Sequence, residues 1–303
     1  MTSATARADT PILAVAASHA PGMARDHDAR QGRDFRAGFG RVRALIDAYD
    51  PELVILVGPD HLRCFDAVVP AAAVVASATA GGDAGSPAGT YRVPGELALE
   101  CAQALLDRGI DVAVARDVVL DHGFGLAAAD LLGGIDARPV LPLFVNCADP
   151  PLAPLRRAIE IGVGLGDWLE RVEQRILLVA SGGLSHAPPS LALGDRTLSE
   201  EQRRHLNVTH AAEAAERIDP DWDRAFLTAL AEPDPFALAA FGDDLAERAG
   251  VGANEVRTWA LVRAAAGHPL DTVAYEAVPE WITGMGVAVS RWACPADRSA
   301  DPR

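Results

Sequence analysis

The chain has 303 residues, half of them hydrophobic, and a formal net charge of −15. That balance permits a sizeable core and argues against phosphate-backbone binding or a polybasic membrane anchor as the protein's main business. The four cysteines, Cys64, Cys101, Cys147 and Cys294, form no C-x-x-C pair; this excludes a disulfide framework or a thiolate zinc site and suits a reducing cytoplasm.

Ile12–Ala17 reads as a buried strand ending in Ser18-His19-Ala20-Pro21-Gly22. It mimics a signal-peptide core, but its apolar run is too short and Arg7 and Asp9 precede it. No apolar stretch reaches the ~20 residues that span a bilayer. A helix follows with Phe35, Phe39, Val42, Leu45, Ile46 and Tyr49 mostly at spacings of three and four, stopped by Asp50-Pro51. Leu53–Val57 is a second buried strand, closed by Gly58-Pro59-Asp60-His61. Strand, helix, strand in this order predicts a parallel pair with a right-handed crossover, so that His19 and His61 share one sheet edge.

Further along, residues 67–76 read as a strand, 81–95 as a Gly/Pro/Ser-rich loop, and 96–108 as a helix stopped by Gly109. A strand over 111–115 precedes Leu120-Asp121-His122-Gly123-Phe124 and a short helix through Leu131. Val140–Val145 is a strand and 155–172 a helix. Ile176–Ala180 is a strand buried on both faces, and a Gly182-Gly183 turn delivers His186 just past its end. Residues 199–218 and much of 221–267 are helical, and 286–292 form a closing strand. With no repeat and no long linker, the pattern predicts a three-layer α/β/α fold around a central, largely parallel or mixed sheet. It forms a single domain over 11–292 with a helical C-terminal third, flanked by disordered tails at 1–10 and 293–303.

Ligands in such sheets bind beyond strand C-termini, where four histidines fall. His19 and His61 suit one divalent first-row metal ion, or else close their loops through hydrogen bonds. Asn254 reads as the N-cap of a helix running to Gly267, which puts Glu255 on one stripe with Trp259, Val262 and Ala266. A carboxylate in line with an apolar face needs a cation, and Arg257 and Arg263 point elsewhere on the helical wheel. The alternative is a first-turn glutamate reaching water. Two histidines and a carboxylate describe the facial arrangement of non-haem Fe(II) oxygen-activating enzymes. His122 and His186 remain for proton transfer, with Asp121 and Ser185 as candidate orienting neighbours. His205 and His210 belong to a charged surface helix, and His27 and His268 have no supporting pattern. Gly162-Val-Gly-Leu-Gly166 follows no strand and is not a dinucleotide loop.

Ser18-His19-Ala20-Pro21, Gly58-Pro59-Asp60-His61, Asp121-His122-Gly123-Phe124 and Gly182-Gly183-Leu184-Ser185-His186-Ala187-Pro188-Pro189 resemble the signature blocks of the class III extradiol ring-cleavage dioxygenases. Glu255 with Thr258-Trp259, and Pro279-Glu280-Trp281-Ile282, are similar to the C-terminal blocks of the branch acting on 3-(2,3-dihydroxyphenyl)propionate. The resemblance implies Fe(II) held by His19, His61 and Glu255, and cleavage of a 3-substituted catechol next to the diol with O2. The product would be of the hydroxymuconic semialdehyde type. It also implies an acid–base pair, His122 as base and His186 as acid, or the reverse. After His61 the chain reads Leu62-Arg63-Cys64-Phe65 where that branch carries an aromatic residue and an asparagine, and Arg63 becomes a candidate partner for a substrate carboxylate. A zinc hydrolase with the same ligands and a non-catalytic binding module are the competing readings. A cytoplasmic homo-oligomer without nucleic-acid or membrane partners completes the expectation.

Overall fold

The computed structural model describes residues 12–26 and 28–293. The strands are β1 (Leu13–Ala17), β2 (Leu53–Pro59), β3 (Ala72–Val75), β4 (Ala78–Gly81), β5 (Ala88–Thr90), β6 (Ala113–Ala115), β7 (Val118–Leu120), β8 (Val140–Val145), β9 (Ile176–Ser181), β10 (Leu270–Val278) and β11 (Thr283–Ser290). The helices are α1 (Pro21–Arg25), α2 (Arg33–Tyr49), α3 (Gly95–Asp107), α4 (His122–Leu132), α5 (Leu155–Leu169), α6 (Pro189–Ala192), α7 (Glu200–Thr209), α8 (Ala211–Ala215), α9 (Pro220–Leu230), α10 (Leu245–Ala249) and α11 (Val256–Ala266).

One mixed sheet of eight strands runs in the order β10-β11-β1-β9-β2-β8-β3-β6. Its centre, β1, β9, β2 and β8, is parallel. These strands are buried along their whole length because alternate residues serve opposite layers. In β1, Ala14 and Ala16 join the core built with α5 and α11, while Leu13, Val15 and Ala17 join the core built with α2 and α4. The same alternation holds in β2 and β9, which gives the expected three-layer α/β/α architecture.

Three details differ from the sequence reading. β1 and β2 are parallel but not neighbours, because β9 lies between them and pairs with both. The segment read as a loop over 81–95 contains β5 and the end of β4, which with β7 make a small second sheet. The C-terminal strand is one arm of a hairpin whose other arm, β10, was not anticipated; β11 pairs antiparallel with β1. The tails expected to be disordered lie outside the described residues except for Ala293, which ends a 3-10 turn over Arg291–Ala293. His27 also lies outside the described residues.

The rejected glycine run has a packing role. A Cβ on Gly162 would sit 2.2 Å from the Leu261 carbonyl oxygen, and one on Gly166 would sit 2.8 Å from that of Ala265. These glycines let α5 and α11 approach backbone to backbone, and all eleven residues of α11 are buried.

Candidate active site

The parallel centre of the sheet explains why three histidines meet. β1, β9 and β2 end on the same edge, so the segments following them deliver His19, His186 and His61 to one place, each of them buried. His122, the first residue of α4, joins them: its ring stacks on His61 at 4.1 Å and meets His19 edge-on at 5.6 Å. Donor atoms of His19, His61 and His122 all lie within 4.8 Å of one another, a spacing that could hold a metal ion. Glu255 is not in that triplet, yet its Oε1 stands 3.1 Å from His61 Nε2 and 3.3 Å from His186 Nε2. The four histidines line a cavity of about 760 Å³.

Hydrogen bonds fix which nitrogen each ring presents. Ser181 donates its hydroxyl to the Gly123 carbonyl at 2.6 Å, so its oxygen accepts from His19 Nδ1 at 2.9 Å, and His19 Nε2 stays bare. His61 Nδ1 donates to Asp121 Oδ2 at 2.8 Å. His186 Nδ1 donates to the Leu184 carbonyl at 2.9 Å. Both the His61 and His186 protons on Nδ1 are therefore committed, while both Nε2 atoms face one Glu255 oxygen. With neutral rings, nitrogen lone pairs would be set against a carboxylate in a buried site. A proton or a metal cation must sit among them. The second Glu255 oxygen accepts from the Gly183 N–H at 2.7 Å.

The electrostatics follow this geometry. Burial would lower the His61 pKa, but Asp121 and Glu255 overcome it and raise the value to about 10. Burial likewise opposes a charge on His186, and Glu255 raises its pKa. Burial would raise the Glu255 pKa, but His186 and His61 hold it well below the usual carboxylate range. For His19, burial dominates and lowers the pKa to about 3, keeping the ring neutral and its lone pair free. The donor set thus fits a divalent cation: imidazole Nε2 atoms turned to one place, a buried carboxylate, and hydrogen bonds at each Nδ1 that aim the rings.

Two orienting partners differ from the sequence reading. Asp121 serves His61 rather than His122: Oδ2 accepts both from the His61 amide and from its ring, and Oδ1 caps α4 through Gly123 N–H at 2.9 Å. His122 Nδ1 is held instead by Asp83 Oδ2 at 2.5 Å. Ser185 binds Asp223, not His186. Asn254 is not the N-cap of α11, since a 3-10 turn over Val251–Glu255 leads directly into it; its side chain accepts from Arg257. Arg257 and Arg263 are buried on backbone carbonyls and leave Glu255 alone, as the helical wheel required. Arg63 is already engaged by Glu200 at 2.7 Å and Asp83 at 3.1 Å. His205 and His210 are exposed, and His268 bonds backbone carbonyls away from the cavity. Asp83 and Ser181 were missed. Each acts on a ring 39 or more residues away, and neither leaves a local signal.

Clustered histidines and a buried carboxylate at the carboxyl edge of a parallel α/β sheet define a metal-dependent enzyme. The chain belongs to the family of the catalytic LigB subunit of aromatic ring-opening dioxygenase, which it matches over residues 13–286. Among its relatives, it is 37% identical to a 2,3-dihydroxyphenylpropionate/2,3-dihydroxicinnamic acid 1,2-dioxygenase of Paraburkholderia xenovorans, across 93% of this chain and 98% of that one. It is 34% identical to a protein of the same name from Mycolicibacterium paratuberculosis (85% and 91% of the two chains) and 38% identical to one from Klebsiella pneumoniae (80% and 87%). The protein is an extradiol ring-cleavage dioxygenase, acting on a catechol with O2. No helix among the described residues is long and apolar enough to cross a membrane.

Proposed function

We propose that the protein opens 3-(2,3-dihydroxyphenyl)propionate, or a closely related 3-substituted catechol, next to the diol, with Fe(II) held by His19, His61 and Glu255. The carrying observation is the convergence of His61 Nε2 on Glu255 Oε1 beside the bare Nε2 of His19, a two-histidine, one-carboxylate set. The names of the relatives support the substrate. When bound, the iron supplies Lewis acidity toward the diol and a redox route to O2.

The chain's own residues do the rest. His122, with its Nδ1 proton tied to Asp83, offers Nε2 as the base that takes a proton from the catechol. His186, its Nδ1 proton held by the Leu184 carbonyl, turns Nε2 toward the same site and carries the proton for the acid step. The segments carrying these rings exclude bulk water from the cavity floor, where all four histidines and Glu255 are buried. One catalytic domain over 11–292 houses the site, and we place it in a cytoplasmic homo-oligomer, which sedimentation and fractionation would check.

The test is anaerobic reconstitution with Fe(II), addition of the catechol, and admission of air. A yellow product with stoichiometric oxygen uptake is expected. Turnover of esters or amides with Zn(II), and none of catechols with iron, would replace this reading with a hydrolase; inactivity in both would leave a binding module. His186→Ala should keep iron and substrate binding and turn over slowly, whereas loss of iron would remove its proton-transfer role.

A further inference from the structure

The cavity holds more than the diol needs, and its mouth has an unspent charge. α7 turns one stripe toward it, and the polar groups on that stripe divide into two sets. Glu200 is bound by Arg63, Asn207 accepts from the Ser190 amide at 2.9 Å, and Arg203 is buried on the carbonyls of Leu198 and Asp195. Arg204, on the same stripe, makes no hydrogen bond or ion pair among the described residues. Arg25, the last residue of α1, faces the same cavity and is likewise unpartnered among the described residues. The two guanidiniums are close enough that Arg204, together with burial, lowers the Arg25 pKa. Glu201 and Glu280 also line the cavity, but neither comes within ion-pair distance of either arginine. Two neighbouring cations with no partner at ion-pair distance repel each other, and holding them together favours an anion that enters between them.

Placement fits a ring substituent. Pro21 begins α1 two residues after His19, and the four-residue rise from Pro21 to Arg25 is about 6 Å. Arg25 therefore stands one helical turn from the metal-site loop, with a side chain long enough to meet a group that projects from a ring held there. Arg63, the candidate suggested by the sequence, is spent on Glu200 and Asp83.

We propose that Arg25 and Arg204 form the subsite for an anionic ring substituent of the catechol, a carboxylate on a short chain, and so set specificity for charged over uncharged catechols. This rests on the dioxygenase reading of the same site. The test uses the iron-loaded enzyme and compares kcat/KM for 3-(2,3-dihydroxyphenyl)propionate with that for 3-propylcatechol, which has the same chain length and no charge. Arg204→Met and Arg25→Met should each cost roughly tenfold on the propionate, the loss of one charge-assisted contact, mostly in KM. The uncharged substrate should change less than about twofold and so reports that the fold and iron site are intact. Charge reversal in Arg204→Glu should widen the gap further. Equal losses on both substrates, or none on either, would refute the subsite while leaving the dioxygenase reading standing. A wild-type enzyme that opens neither catechol would overturn that reading and this inference with it.

Discussion

Replacing Asp121 by asparagine removes one oxygen acceptor from a group whose two oxygens take three N–H donors. Oδ2 receives the amide and the ring Nδ1 of His61, both at 2.8 Å, and Oδ1 receives the Gly123 amide at 2.9 Å. The less costly amide orientation keeps its oxygen toward His61 and turns NH2 against the Gly123 amide. That forfeits the cap of α4, worth about 1 kcal/mol, so the metal-free protein should melt slightly earlier. The larger effect is on the metal site: a neutral amide no longer makes the His61 ring a strong ligand. Loss of a carboxylate behind a ligating histidine costs roughly 10- to 100-fold in metal affinity. Anaerobic titration of Fe(II) against a chromogenic chelator measures it directly. An affinity within twofold of wild type, accompanied by a large fall in kcat, would refute the reasoning, because Asp121 would then be serving His122 after all.

Metal uptake by the metal-free protein should depend on pH with a definite sign. His61 carries a proton below about 10 that an incoming ion must displace, whereas His19 is already neutral above about 3. Affinity should therefore rise at least tenfold per unit as pH increases toward 10, with one proton or more released per ion, because the Glu255 carboxylate that the ion takes also raises the His186 pKa; a flat profile by titration calorimetry in buffers of different ionisation enthalpy would contradict the assignment. Asp83→Asn should lower kcat on the order of a hundredfold with iron content unchanged, since it frees the His122 ring that Asp83 holds; a loss of iron instead would make His122 a ligand. Gly162→Ala pushes a methyl to 2.2 Å from the Leu261 carbonyl oxygen and should cost about 1–3 kcal/mol in urea melts. An unchanged midpoint would show that α5 and α11 can part without penalty.

The central strands were legible because strands buried on both faces are written as continuous apolar runs, as in β2 and β9. Their order was not, because nothing local to β9 says that it inserts between β1 and β2; that depends on which apolar faces α5 and α11 cover. β10 escaped because its middle is only half-buried, and Asp271, Thr272 and Glu276 break the apolar pattern of an edge strand. The five candidate site residues were readable from strand ends and one helical stripe. Their orienting partners were not, because the sequence offers only chain neighbours as candidates and the rings are held by other residues. Asp121 is adjacent to His122 in the chain, yet it spends both oxygens on His61 and on its own helix cap.

The insertion of β9 also explains why the turn after it must be Gly182-Gly183. A Cβ on Gly182, at φ +158, would stand 2.8 Å from the Glu255 Cβ, and one on Gly183 would stand 2.6 Å from His186 Cε1. Across the site, a Cβ on Gly252 would come within 2.2 Å of His186 Nε2. The Gly183 amide holds one Glu255 oxygen, and the Gly182 carbonyl accepts from Trp259 at 2.9 Å, anchoring α11. Glycines in two of these segments thus let the β9 turn, the Gly252 segment and the start of α11 close on one small volume. Within it a single Glu255 oxygen faces both His61 and His186, so the proposed iron ligand and the proposed proton donor share one partner and cannot be moved independently.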